Sequence, residues 1–217
     1  MKTFSFLAFS IIFTLFIGCR KFEQEKIVAE AKPYIPNNLY PIERLPTYFN
    51  RVAVLPNFHN DPASPVLKFS DDIFLKELSK VGIFETVQVP LSFCKKNFGK
   101  ERISSTESLP ENFLQVINDE YGANGVLFMD IHSFNSYRPM SLGIRSKLVD
   151  LKSGEYMWAI DESIDAGDAS VMVSANLYQR SKHVQALSKE TRSSILQSPR
   201  LFTKFAAHAV FQTLPIR

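Results

Sequence analysis

Asp130 and His132 are the residues of this sequence best spaced to exchange a proton. They stand two apart at the end of the run V-L-F-M-D-I-H. On a strand that spacing puts both side chains on one face, where an acid–base pair can form. No G-x-S-x-G elbow accompanies them, so the competing reading is a hydrogen-bonded pair where the strand leaves the core. The other histidines, His59, His183 and His208, share no metal-ligand spacing with one another or with a cysteine. No Walker-type glycine loop is present. Glu155, Asp161, Glu162, Asp165 and Asp168 form an acidic stretch without EF-hand spacing, which reads as a solvated strand face. Cys94 lies in S-F-C-K-K, where Lys95 and Lys96 favour a thiolate; the commoner alternative is an inert, half-buried thiol at a strand end. The expectation is therefore no catalytic, metal or cofactor site, with an envelope hydrolase built on Asp130 and His132 as the alternative.

The composition narrows the class further. The chain has 217 residues, 25 basic and 22 acidic, for a net charge of +3. That mixed surface carries no basic stripe of the kind nucleic-acid binding requires. The many Phe residues fall mostly in apolar runs, which suits core packing better than a platform for stacked bases.

At the amino terminus, Lys2 supplies a short positive region. The stretch from Phe4 to Ile17 is apolar apart from Ser5, Ser10 and Thr14, and charge returns at Arg20 and Lys21. This run matches the core of a secretory signal and falls short of the roughly 20 residues a spanning helix needs. Leu15-Phe16-Ile17-Gly18-Cys19 resembles a bacterial lipobox, although Phe16 stands where Leu is usual. The resemblance implies cleavage between Gly18 and Cys19, diacylglycerol on the Cys19 thiol and acylation (palmitate or its like) of the new amino group. Two or more acyl chains bind a bilayer firmly. With Arg20 rather than Asp after the cysteine, the resemblance implies the outer membrane, facing the periplasm. A lipidated Cys19 leaves Cys94 without an intrachain disulfide partner.

The expected domains are a signal peptide over 1–18, a lipidated cysteine and Pro-rich tether over 19–48, and one domain over 49–217. Tyr34, Tyr40 and Tyr48 are read as pinning the tether to the domain surface. R-V-A-V-L-P from Arg51 is a buried strand ended by proline. Ser70, Asp71 and Asp72 open a helix that stops near Gly82, and Phe84 to Val89 is a second strand. Residues 90–109 read as polar and irregular. Ser108 and Glu111 are spaced as a capping box for a helix ending at Gly122. Val126 to Ile131 is the most buried strand. Leu142 to Leu151 forms a hairpin, through a turn at Lys152-Ser153-Gly154, with a strand whose Tyr156, Trp158, Ile160 and Ile164 form the packed face and Asp161, Ser163 and Asp165 the wet one. Asp168 to about Ile195 is helical in composition, and Ser198-Pro199 opens a last helix. The expected fold is α/β (α+β): a single domain with a mixed sheet of about five strands, in the order β-α-β-α-β-β-β-α-α.

Four segments carry a family resemblance: R-V-A-V-L-P-N-F at Arg51, G-I-F-E-T-V at Gly82, Y-G-A-N-G-V-L-F at Tyr121 and V-D-L-K-S-G-E-Y-M-W at Val149. In this order they resemble an α/β family of bacterial envelope proteins that includes CsgG, LpoB and the amino-terminal domain of TolB. The resemblance implies a domain used for protein contacts, without catalytic residues, on a membrane-anchored structural or adaptor lipoprotein. The partners implied are the membrane, an envelope protein of unknown identity and further copies of the chain.

A CsgG-like secretion subunit is the third reading. It requires alternating strands to spare for a barrel. Residues 90–109 are long enough, but Lys95, Lys96, Lys100, Glu101 and Arg102 cluster mid-segment. A lipid-facing Lys or Arg near the midplane costs roughly 2–4 kcal/mol, so an anchored, non-pore protein is expected. Mass spectrometry of the mature amino terminus should find acylated Cys19, and Cys19→Ser should accumulate uncleaved precursor; an unmodified Cys19 would refute the lipobox reading.

Overall fold

The computed structural model describes residues 30–40, 43–183 and 194–216. Gly18 and Cys19 lie outside them. Six strands form one mixed sheet: β1 (Leu39–Tyr40), β2 (Arg51–Val54), β3 (Glu85–Gln88), β4 (Gly125–Asn135), β5 (Ser141–Asp150) and β6 (Tyr156–Asp165). Their spatial order is β1-β6-β5-β4-β2-β3. β2 pairs in parallel with both β3 and β4, while β4, β5, β6 and β1 pair antiparallel. Five α-helices are described: α1 (Ser70–Ser79), α2 (Leu91–Phe98), α3 (Phe113–Tyr121), α4 (Ala169–His183) and α5 (Pro199–Phe211). The α/β class and the alternation of elements agree with the sequence reading. Two elements exceed it: edge strand β1, and helix α2 within the stretch read as irregular.

The alternation of side chains along β2 and β4 builds two cores. Val52 and Val54 join Leu127, Met129 and Ile131 in a large core with α1, α4 and α5. Ala53 and Leu55 join Val126 and Phe128 in a smaller one with Phe113 and Ile117 of α3 and Cys94 of α2. A strand covered on both faces must be apolar at nearly every position, which is why these two read as continuous runs. The larger core is closed by α1 against α5, where the Phe74 and Phe211 rings meet edge to face at 6.0 Å. Trp158 of β6 is fully buried there, and its Nε1 donates to Thr213 Oγ1 at 3.1 Å.

Three local readings differ from the structure. Ser70 lies inside α1 rather than capping it, because the helix starts one residue earlier: Phe69 holds the cap position and the Ser70 hydroxyl is buried in the first turn. The Ser108–Glu111 capping box does not form, since α3 begins only at Phe113 after Asn112. Tyr156 is half exposed instead of facing the core, because the β5–β6 register shifts between Leu148 and Val149 and Met157 takes the buried side. The described part of the segment read as a tether lies against the domain. Leu45 is buried, Tyr34 Oη donates to Glu162 at 2.9 Å, and Tyr48 Oη donates to Asp150 at 2.5 Å.

Phe49 occupies the space that a side chain at the start of β4 would need. An added Cβ on Gly125 would lie 2.1 Å from Phe49 Cζ. Gly125→Ala should therefore destabilise the domain by about 1–3 kcal/mol through overpacking, and Phe49→Ala by about 3–5 kcal/mol through the cavity it leaves. Denaturant unfolding of the double variant should give less than the sum, because removing the ring makes room for the methyl group.

Candidate functional site

Asp130 and His132 do share one face of β4, yet the structure does not join them. The Asp130 side chain is sealed at 3% exposure. Its carboxylate accepts from Ser104 Oγ at 2.9 Å, from Ser105 N at 3.0 Å and from Ser105 Oγ at 2.8 Å. Lys147 Nζ, from neighbouring β5, donates to the Ser105 carbonyl at 2.7 Å. Asp130 thus clamps the loop after α2 onto the sheet. The same loop is tied at Arg102, which forms a fork with the two Asp71 oxygens at 3.0 and 2.8 Å and donates to the Asn57 carbonyl. Such a planar, two-point contact fixes orientation as well as charge.

His132 sits where the β4–β5 register shifts, between Ile131 and Ser133. Its Nε2 is 3.2 Å from Asp161 Oδ1 on β6. Asp161 also takes Arg145, whose Nε donates at 2.7 Å. An imidazole shared with Asp161 and a carboxylate filled by serine donors cannot pass a proton between them. This corrects the hydrolase reading of Asp130 and His132: strand alternation gives a shared face, but the bulge and the packed loop give each residue its own partner.

Cys94 is fully buried in the smaller core. Burial pushes its thiol up to about 11, against a weaker lowering by Arg102. The adjacent Lys95 and Lys96 are exposed and do not create a thiolate. The acidic stretch is spent on local structure rather than gathered into one site. Glu162 accepts from Tyr34 Oη, Asn37 N and Asn38 N, so it staples the chain before β1 along β6. Burial and this carboxylate hold the Tyr34 phenol well above its ordinary range. Asp165 accepts from Gly167 N at 2.7 Å. Asp168 accepts from the Ser170 hydroxyl and amide, which hold its carboxyl below the usual range. Among the described residues no group of three or more His, Cys, Asp or Glu could hold a metal ion.

What remains accessible is a surface. Helices α2 and α3 cover the sheet over β2 and β4, and the same side of β5 and β6 stays partly open. It presents Arg145 and Asp161, with Lys147 Nζ 5.5 Å from the centre of the half-exposed Tyr156 ring. Tyr137, at the tip between β4 and β5, is 81% exposed. Tyr and Arg are the residue types that most often anchor protein contacts. The sequence offered no signal for this face, since its residues are scattered over two strands and a turn.

No protein-family model matches the chain, and no curated protein does. Solved structures do. The PelC subunit from a dodecamer of Paraburkholderia phytofirmans is similar over 82% of this chain and 96% of its own, at 12% identity and a TM-score of 0.50. The lipoprotein GNA1162 from Neisseria meningitidis matches over 64% of this chain and 99% of its own, at 14% identity and a TM-score of 0.41. The LpoB carboxy-terminal domain from Salmonella enterica matches over 54% and 82%, at 20% identity and a TM-score of 0.32. The PelC likeness shows a shared fold.

The buried thiol gives a direct check. Cys94 should react with a charged disulfide reagent at neutral pH only after denaturation, and its folded-state rate should fall at least about 100-fold below the unfolded rate. Because the folded thiol titrates above the unfolded one, its contribution to stability is present below the unfolded pKa and is lost as pH rises toward 11.

Proposed function

We propose that this chain is a membrane-anchored envelope lipoprotein that works without catalysis, as a structural, adaptor or assembly factor acting through protein contacts. The lipobox at Gly18 and Cys19 supports the anchor and the outer-membrane, periplasm-facing location. The observation that carries the reading is the use of the polar side chains. Asp130, Asp161, Glu162 and Asp168 are all committed to holding the fold together, and the open face of β5 and β6 offers Arg145, Lys147 and Tyr156 for contact. The dodecamer formed by PelC, which shares the fold, supports self-association as one form of that contact. The segment 90–109 supports the non-pore form of the reading. Lys95 and Lys96 lie on helix α2, over Leu91–Phe98, rather than on a strand available to a barrel, and Arg102 in the loop after it is tied to Asp71 and Asn57. Among the described residues no helix is long and apolar enough to cross a membrane.

Cross-linking in intact cells, followed by identification of what the full chain captures, tests the adaptor reading. It should recover one or a few envelope proteins, or the chain itself. Arg145→Ala combined with Tyr156→Ala should reduce capture at least about tenfold, the loss of one hot-spot contact, while the fold persists with a modestly lowered unfolding midpoint from the lost Arg145–Asp161 pair. Capture that is unaffected by the double change would exclude this face, and a soluble unlinked monomer in cells would exclude the function.

A further inference from the structure

We propose that the groove between α1 and α5 is a binding site for a phosphate-bearing ligand. The two helices pack over the large core, and residues of α1 and of the amino-terminal part of α5 line a cavity of about 630 Å³. Four cations stand around it: Lys76 in the last turn of α1 and Lys80 just past its end, Arg200 and Lys204 on α5. Arg200 and Lys204 are four residues apart on α5, so that pair stacks on the side facing the groove. Like charges at that spacing disfavour the helix that carries them. That pair, facing Lys76 and Lys80 across one cavity, is explained by an anion that sits between them.

The balance of charge leaves room for that anion. Lys80 contacts Glu77, whose carboxylate is buried at the base of the groove and lies 3.9 Å from His208 Nδ1 on its other oxygen. Lys76 is 3.9 Å from Asp72, an exposed pair of little strength. Arg200 and Lys204 make no ion pair among the described residues. The groove therefore keeps two uncompensated cations, a planar guanidinium fork and a point charge, the combination suited to a phosphate group. The first turn of α5 adds the positive end of its dipole beside Ser198, which lines the cavity; Pro199 has no amide hydrogen, and the Leu201 and Phe202 amides donate to Ser198. The remaining wall is apolar, from Ile73, Leu75 and Leu201. A phosphate joined to a carbon skeleton fits both parts, whether it comes from a phospholipid headgroup or from a free organic phosphate.

The test uses the full chain purified in a non-ionic detergent. Inorganic phosphate, glycerol 3-phosphate and the short-chain anionic lipid dihexanoylphosphatidylglycerol are titrated separately by calorimetry. At least one should bind saturably, and Arg200→Gln with Lys204→Gln should weaken it at least about tenfold, the loss expected from one charge-assisted contact. Lys96→Gln with Lys152→Gln removes the same net charge elsewhere and should leave binding within about twofold. Tighter binding of the lipid than of glycerol 3-phosphate supports a headgroup as the source; equal binding supports a free phosphate. Absence of saturable binding by all three probes, or equal weakening by the two double variants, overturns the site. Circular dichroism checks that both variants fold, and the unaltered chain alone decides whether saturable binding exists.

Discussion

Strand β4 is buried along its first seven residues, from Gly125 to Ile131, and the architecture follows from that burial. A strand with no exposed face needs partners on both edges and cover on both sides. β2 and β5 supply the edges. Helices α1 and α5 supply one cover, α2 and α3 the other, and the two hydrophobic clusters are the result. At about 25 cal/mol for each Å² of apolar surface removed from water, this double burial is the dominant favourable contribution to the fold.

The one carboxylate inside that covered stretch has a structural role. Asp130 would be costly to bury without donors, and three groups from Ser104 and Ser105 provide them. The loop that brings those donors is held in turn by Arg102 on Asp71 and Asn57. The chain after α2 is thereby fastened to the strand–helix unit of β2 and α1, although far from both in sequence. Truncating either Asp130 or Arg102 would leave buried groups unpaired, which is costlier than losing an exposed ion pair.

Cover is unequal across the sheet, and the inequality separates structural polar groups from accessible ones. Over the covered stretch of β4 the one carboxylate, Asp130, is sealed. Over β5 and β6 Arg145, Asp161, Lys147 and Tyr156 stay partly open, bonded to each other across neighbouring strands. Cross-strand pairs of this kind stabilise the sheet modestly and still present a patterned surface. On the other side, Glu162 binds the segment from Tyr34 to Asn38 and lets β1 close the outer edge of β6. An edge covered by the chain's own amino-terminal segment is a protected edge.

Residue types alone determined the parts of this protein that depend on local patterning. The double-faced strands at Val52 and Val126, the Gly122 and Gly154 stops, the Ser198-Pro199 helix start and the α/β class were legible because each follows from apolar period, φ > 0 or a missing amide within a few residues. The lipobox at Cys19 is likewise a local pattern, and it remains a reading of the sequence. Tertiary structure decided everything that needs a partner from afar. Helix α2 spans two turns, too short for its Phe93 and Cys94 to declare a period before the sheet covers them. Ser70 and Ser108 match capping patterns, yet α1 begins one residue early, with Phe69 at its cap, and α3 begins late. Asp130 and His132 share a face by alternation. Only the folded chain, by inserting a bulge and laying a serine-bearing loop against the sheet, determined that they do not share a proton.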